Sequence, residues 1–247
     1  MLPYLVPLTM SVPAVDGLVL RGTLTYPGTD MGTRYPLAVL AHQYPATRDS
    51  WAPLTADLHA MGIATLAFDE RGHGDSIWSP AGVRVIDTPA GPTMQDFGTA
   101  FVSSAGTLGF HQIADDVTRV ASWGTSQNFI DGGRLFFFGA SVGGPGVLLA
   151  APAFGSAVMG IVTVGAAGVP AYGEDAMARI RATCEQFTTP CLLTSAEGDP
   201  FDGAANVRAW SARLDHVKVK LVPGEGHAMA IFYEVRDAIL DFVTRVK

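Results

Sequence analysis

Leu135-Phe136-Phe137-Phe138-Gly139-Ala140-Ser141-Val142-Gly143 is the stretch that decides the fold. Its first four residues are apolar on both faces, as suits a strand buried on two sides of a parallel sheet. The next five form a Gly-x-Ser-x-Gly pattern. Val142 to Ala151 continues in small apolar residues and predicts a helix. Strand, tight turn and helix set Ser141 at the apex of the turn, its backbone strained and its hydroxyl exposed. Gly139 and Gly143 have a steric task, because a side chain at either would crowd strand against helix. Gly fills 28 of 247 positions, so chance alone gives a particular Ser this spacing about once in 80. The flanking strand and helix therefore carry the reading.

Downstream, Val158 to Val164, Cys191 to Ser195 and Val217 to Val222 predict strands. Glu174 to Phe187, Ala204 to Leu214 and about Ala228 to Val246 predict helices. Upstream, Leu37 to Ala41 and Ile63 to Phe68 predict strands. Trp51 to Met61, with Leu54 and Leu58 one turn apart, predicts a helix. So does His111 to Trp123, with Ile113, Val117 and Val120 on one face. Strand and helix alternate from residue 37 onward, which predicts an α/β fold: a mostly parallel sheet with helices on both faces. Leu8 to Ala14 and Leu18 to Tyr26, joined at Asp16-Gly17, predict an antiparallel hairpin at one edge. No repeat or linker divides the chain, and 247 residues suit one α/β domain over 1–247. Residues 77–109 break the rhythm. Pro80, Pro89 and Pro92, scattered Gly and Thr and little periodicity predict a long loop insertion there.

The composition is 48% hydrophobic and 16% charged, ample for a sizeable core. A net charge of −7 without any basic cluster argues against nucleic acid or an anionic membrane as partner. Met1 to Met10 is interrupted by Pro3 and Pro7 and lacks a basic n-region, so it does not read as a signal peptide. No apolar run is long enough to span a bilayer. Cys184 and Cys191 have no metal-site spacing and read as two free thiols, with a disulfide between them the lesser alternative, in keeping with a cytoplasmic location. Nothing in the sequence asks for a metal or a cofactor, and homo-oligomerisation stays open.

A serine hydroxyl needs a base to take its proton. Of the six histidines, His59, His111 and His216 fall within or at the end of predicted helices, where a His is usually just solvated. His42, His73 and His227 each follow a predicted strand, at the carboxyl edge of the sheet where sites form. His42 and His73 lie in segments that also read as structural. His227 ends Pro223-Gly224-Glu225-Gly226-His227, a flexible loop after the last strand. The base in turn needs a carboxylate to hold its tautomer and stabilise its cation. Asp199 sits in the turn leaving the strand Cys191 to Ser195, with Asp202 the runner-up and Glu197 third. Alone, Asp199-Pro200 reads as a turn or helix start. Alongside Ser141 and His227 it reads as the acid.

The order Ser141, Asp199, His227 at strand ends resembles the α/β-hydrolase superfamily, and the resemblance covers nearly the whole chain. Ala41-His42-Gln43-Tyr44, followed by Trp51, is similar to that family's His-Gly-x segment, with Gln43 where many members have Gly. Asp69 to Ser76 is similar to its Asp-x-Arg-Gly-x-Gly-x-Ser segment, usually structural. The resemblance implies an oxyanion hole built from the backbone N–H groups of Tyr44 and Val142. Ala166 to Pro190 is too short for the helical cap that many relatives carry. The whole resembles the capless dienelactone-hydrolase-like group, although that enzyme's nucleophile is a cysteine and here it is Ser141. The implied function is serine-dependent hydrolysis of a small-molecule carboxylic ester. Amide, thioester or lactone cleavage, a non-hydrolytic activity, or a binding role on the same fold are the alternatives. A capless site needs another wall, and Ile77, Trp78 and Phe101 are expected to border the acyl pocket.

Overall fold

The computed structural model describes residues 7–28, 32–78 and 93–247. Strands β1 (Leu8–Pro13) and β2 (Val19–Thr25) form the expected antiparallel hairpin. Gly17 closes it at φ +84°, a backbone that costs glycine little. There follow β3 (Tyr35–Ala41), α1 (Ala52–Ala60), β4 (Ala64–Asp69), α2 (Met94–Leu108), α3 (Ile113–Thr125), β5 (Ile130–Ala140) and α4 (Gly143–Ala150). The chain continues with β6 (Val158–Val164), α5 (Ala176–Gln186), β7 (Cys191–Ala196), α6 (Gly203–Ser211), β8 (Val217–Val222) and α7 (Phe232–Val246). These strands make one sheet in the order β1-β2-β4-β3-β5-β6-β7-β8. Strands β3 to β8 are parallel, and β2 joins them antiparallel through β4.

Alternation along the central strands divides the core between the two faces of the sheet. Leu37, Val39, Leu135, Phe137 and Ile161 point to one face. There they meet Ile113, Val117 and Val120 of α3, Val147 and Leu148 of α4, Ile180 of α5, and Val207 and Trp210 of α6. Ala38, Leu40, Phe136, Phe138 and Val162 point to the other, against Leu54 and Leu58 of α1 and Val235, Ile239 and Phe242 of α7. Burial on both faces is why β3 and β5 read as unbroken apolar runs rather than alternating ones.

The predicted loop over 77–109 is corrected in its second half. Residues 79–92, with Pro80, Pro89 and Pro92, lie outside the described residues. From Thr93 the chain is helical. Thr93 caps α2 through a reciprocal box: its Oγ accepts from Asp96 N at 3.1 Å, and its N donates to Asp96 at 3.1 Å. Phe97, Phe101, Ala105 and Leu108 recur at helical spacing along this element. Gly98, Gly106 and a run of Ser and Thr dilute that stripe, which is why the segment reads as loop. Among the described residues, no helix is long and apolar enough to cross a membrane.

Candidate active site

The exits of β5, β7 and β8 lie on the carboxyl edge of the sheet and bring three side chains together. Between β5 and α4 the chain turns so sharply that Ser141 takes φ +46°, a left-handed backbone rare outside glycine. A Cβ on Gly143 would stand 2.6 Å from the Ala41 carbonyl oxygen, and one on Gly139 would collide with the Gly143 carbonyl. Both glycines thus have the packing task expected of them. Ser141, Asp202 and Ala228 are three of the four described non-glycine residues at positive φ, the fourth being Arg213. Strain is concentrated around this edge, as functional sites tend to hold it.

Ser141 Oγ lies 2.8 Å from His227 Nε2. His227 Nδ1 lies 2.9 Å from each carboxylate oxygen of Asp199. A carboxylate only accepts, so Nδ1 carries the proton and Nε2 is left to accept from the serine hydroxyl. The Asp199 side chain is fully buried. It also accepts from Phe201 N at 2.9 Å and Ser195 Oγ at 3.2 Å, which fixes its orientation. Asp202 begins α6, but its side chain makes no capping hydrogen bond. Glu197 is exposed in the turn before Asp199.

The peptide joining Ser141 to Val142 is clamped from its carbonyl side, where Ser141 O accepts from Gly144 N at 3.0 Å and Ala167 N at 3.1 Å. In a trans peptide C=O and N–H point opposite ways, so these two donors fix the direction of the Val142 N–H. They also polarise it. The next carbonyl, Val142 O, accepts from the buried Tyr172 hydroxyl at 2.6 Å. Tyr44 is buried after β3, joined to Pro45 by a cis peptide, with its ring against His73, Phe97, Phe101 and Phe110. Gln43 ties this loop to the histidine loop, its Oε1 accepting from Met229 N at 2.8 Å.

His42 and His73 serve the scaffold. His42 is fully buried; its Nδ1 donates to Gln43 O at 2.8 Å and its Nε2 accepts from Glu70 N at 2.9 Å. Burial, and then the neighbouring His73, push its pKa down to about 3, so it stays neutral. The segment Asp69 to Ser76 is a structural brace. Arg71 is buried, with Nε and Nη2 on Asp116 at 2.7 and 3.0 Å, and the Ser76 hydroxyl donates to Asp69 O at 2.6 Å. Burial raises Asp116 to about 6 despite Arg71. Glu70, also fully buried, has no hydrogen-bond partner on either carboxylate oxygen, and burial raises its pKa well above the usual range.

Of the expected wall residues, Phe101 reaches the site through Tyr44, and its ring lies beside Gly168. Trp78 is exposed and lies beside β2, its carbonyl accepting from Val19 N at 3.2 Å. Ile77 precedes it, half-buried. Sequence reasoning missed Phe97, Phe201, Tyr172 and Gln43. Phe201 packs edge-on against the His227 ring, centroids 4.5 Å apart, and against Phe97 at 5.3 Å. Its place two residues after Asp199 was the available signal. Tyr172 had none, since only the folded chain brings it to Val142. Cys184 and Cys191 are buried free thiols. Among the described residues, no group of three or more His, Cys, Asp or Glu could hold a metal ion.

No family model matches the sequence. An uncharacterized 31.7 kDa protein from the traX-finO intergenic region of Escherichia coli is 29% identical over 129 residues, which cover 52% of this chain and 36% of that protein. The match thus spans about a third of the length of that curated relative. Solved structures match over nearly the whole chain. Est1E from Butyrivibrio proteoclasticus, with ferulic acid bound, is 17% identical at a TM-score of 0.72, covering 96% of this chain and 98% of its own. The α/β hydrolase GrgF from Penicillium sp. sh18 is 15% identical at 0.69, covering 98% and 99%. Dienelactone hydrolase from Anabaena variabilis is 17% identical at 0.63, covering 98% and 96%. The fold is that of the α/β hydrolases. Its layout is similar to the dienelactone-hydrolase-like members of that fold.

Proposed function

We propose that this protein is a serine hydrolase of small-molecule carboxylic esters. The observation that carries the reading is the unbroken hydrogen-bonded series from Ser141 through His227 to Asp199, at 2.8 and 2.9 Å. Ser141 Oγ gives its proton to His227 Nε2 as it attacks the acyl carbon, and Asp199 stabilises the imidazolium that forms. The backbone N–H groups of Val142 and Tyr44 take the developing oxyanion. The clamped Ser141–Val142 peptide supports the first of these assignments, since a donor that need not reorganise stabilises the transition state most. His227 returns the proton to the leaving alcohol, and the acyl-enzyme is hydrolysed by a water that His227 activates. Neighbours of the same fold named as esterases and hydrolases support the reaction class. One neighbour holds ferulic acid, and the Phe97–Phe201 pair beside His227 offers ring faces to a flat acyl group.

An acyl-chain series of p-nitrophenyl esters, with a feruloyl-type aryl ester included, tests the reading. Ser141→Ala should lower turnover by about 10⁴ or more and leave the melting temperature nearly unchanged. Most activity surviving in that variant would sink the serine mechanism.

A further inference from the structure

Between the exit of β6 and the exit of β7 lies a cavity of about 320 Å³. It adjoins the triad on two sides. Phe201, which lines it, is in ring contact with His227. Gly168, which also lines it, lies so near the nucleophile turn that a Cβ there would stand 3.5 Å from the Val142 Cβ. Its walls are mostly apolar, from Val169, Pro170, Met177 and Phe201. The Asn206 amide nitrogen is taken, donating to Ala166 O at 3.1 Å. The remaining polar lining is two exposed carboxylates, Glu174 and Asp202, and no Lys, Arg or His is among the described lining residues. Arg179, on the neighbouring helix, is engaged with Asp175 at 3.5 Å and the Tyr172 carbonyl at 3.3 Å.

We propose that this cavity is the acyl subsite, and that Glu174 and Asp202 make it select against acyl chains ending in a carboxylate and for those ending in a cation. The inference rests on the ester-hydrolase reading above. The apolar walls take the methylene chain and the two carboxylates meet its far end. An acyl carboxylate there faces two like charges and no cation among the described lining residues, whereas a quaternary ammonium faces two opposite ones. Dissolved salt weakens both effects, because the mouth is open to solvent.

Three p-nitrophenyl esters of one chain length test this: hexanoate, the monoester of adipic acid, and 6-(trimethylammonio)hexanoate. Each is assayed with the wild type and with Glu174→Gln, Asp202→Asn and the double variant, at low and high salt. The kcat/KM values should rank cationic, neutral, anionic, with roughly tenfold or more between the ends at low salt. At high salt the double variant should bring the ends to within about twofold of each other, since the charge of the rest of the molecule is then screened over this distance. Similar rates for all three esters in the wild type would overturn the inference and leave the hydrolase reading standing, provided Ser141→Ala abolishes them. So would a ranking that survives in the double variant. Failure of the wild type to cleave any of the three would overturn both.

Discussion

Asp199 presents both carboxylate oxygens to one nitrogen of His227, and Asp202, three residues on, presents neither. Asp199→Asn keeps the shape of the side chain but removes the charge that favours the imidazolium, and should cost up to about 10⁴ in turnover. Asp202 makes no capping bond, so Asp202→Asn should change stability by less than the ~1 kcal/mol that a lost cap would cost. Asn also tolerates the left-handed backbone found there. A large kinetic loss in the second variant and a small one in the first would reverse the assignment of the acid. Glu70 poses a different question. Its carboxyl is buried without a partner and so holds its proton in the folded state, whereas in the unfolded chain it titrates near 4.5. The folded form is thus favoured below about 4.5, and that advantage is lost as pH rises towards the elevated folded value. Glu70→Gln removes this dependence. Thermal melts from pH 4.5 to 8 should show the variant gaining on the wild type as pH rises, and parallel curves would argue against a protonated Glu70.

At the scale of elements, the site depends on loops that different strands deliver, and Gln43 links two of them. Its side chain joins the β3 exit, which carries Tyr44, to the turn after His227 through Met229 N. Gln43→Ala should lower kcat by about tenfold with little change in KM, because the bond aligns reacting groups rather than binding substrate. Gln43→Glu, which keeps an acceptor, should recover most of the loss. Equal damage from both would mean the residue acts through packing alone. The elements themselves were largely legible in the sequence. The two-sided apolar runs at β3 and β5, the Asp16-Gly17 turn and the Gly-x-Ser-x-Gly junction state their roles locally. Ser141, His227 and Asp199 could be named from the sequence because each follows its own strand. Gln43 and Tyr172 could not, since their contacts join residues far apart in the chain, and Phe201 had only its place two residues after Asp199 to mark it. Helix α2 was hidden for another reason: its stripe of Phe97, Phe101 and Leu108 is spaced by glycines and hydroxyl residues with weak helix preference.

In the whole molecule the triad spans the sheet from its centre to its margin. Ser141 leaves β5, which is buried between neighbours, whereas His227 follows β8, which among the described residues pairs only with β7 and exposes Lys218, Val219 and Lys220. The lysines guard that margin against strand addition, but a strand with one partner is also among the first to open. Trp51 and Trp210 are fully buried in the two halves of the core. Trp51 packs against Phe138 of β5, so its fluorescence, read in a variant that keeps Trp51 as the one tryptophan, reports collapse of the body, while turnover reports the β8 margin. In a urea titration the midpoint for turnover should fall below the midpoint for tryptophan emission. Coincident midpoints would mean that the margin and the body melt together. If turnover does fail first, the practical ceiling on use of such a catalyst is set by its rim: a preparation could pass every test of foldedness and still have stopped working. Efforts to toughen it would then do better to reinforce β8 and the loop behind it than to repack an interior expected to give way last.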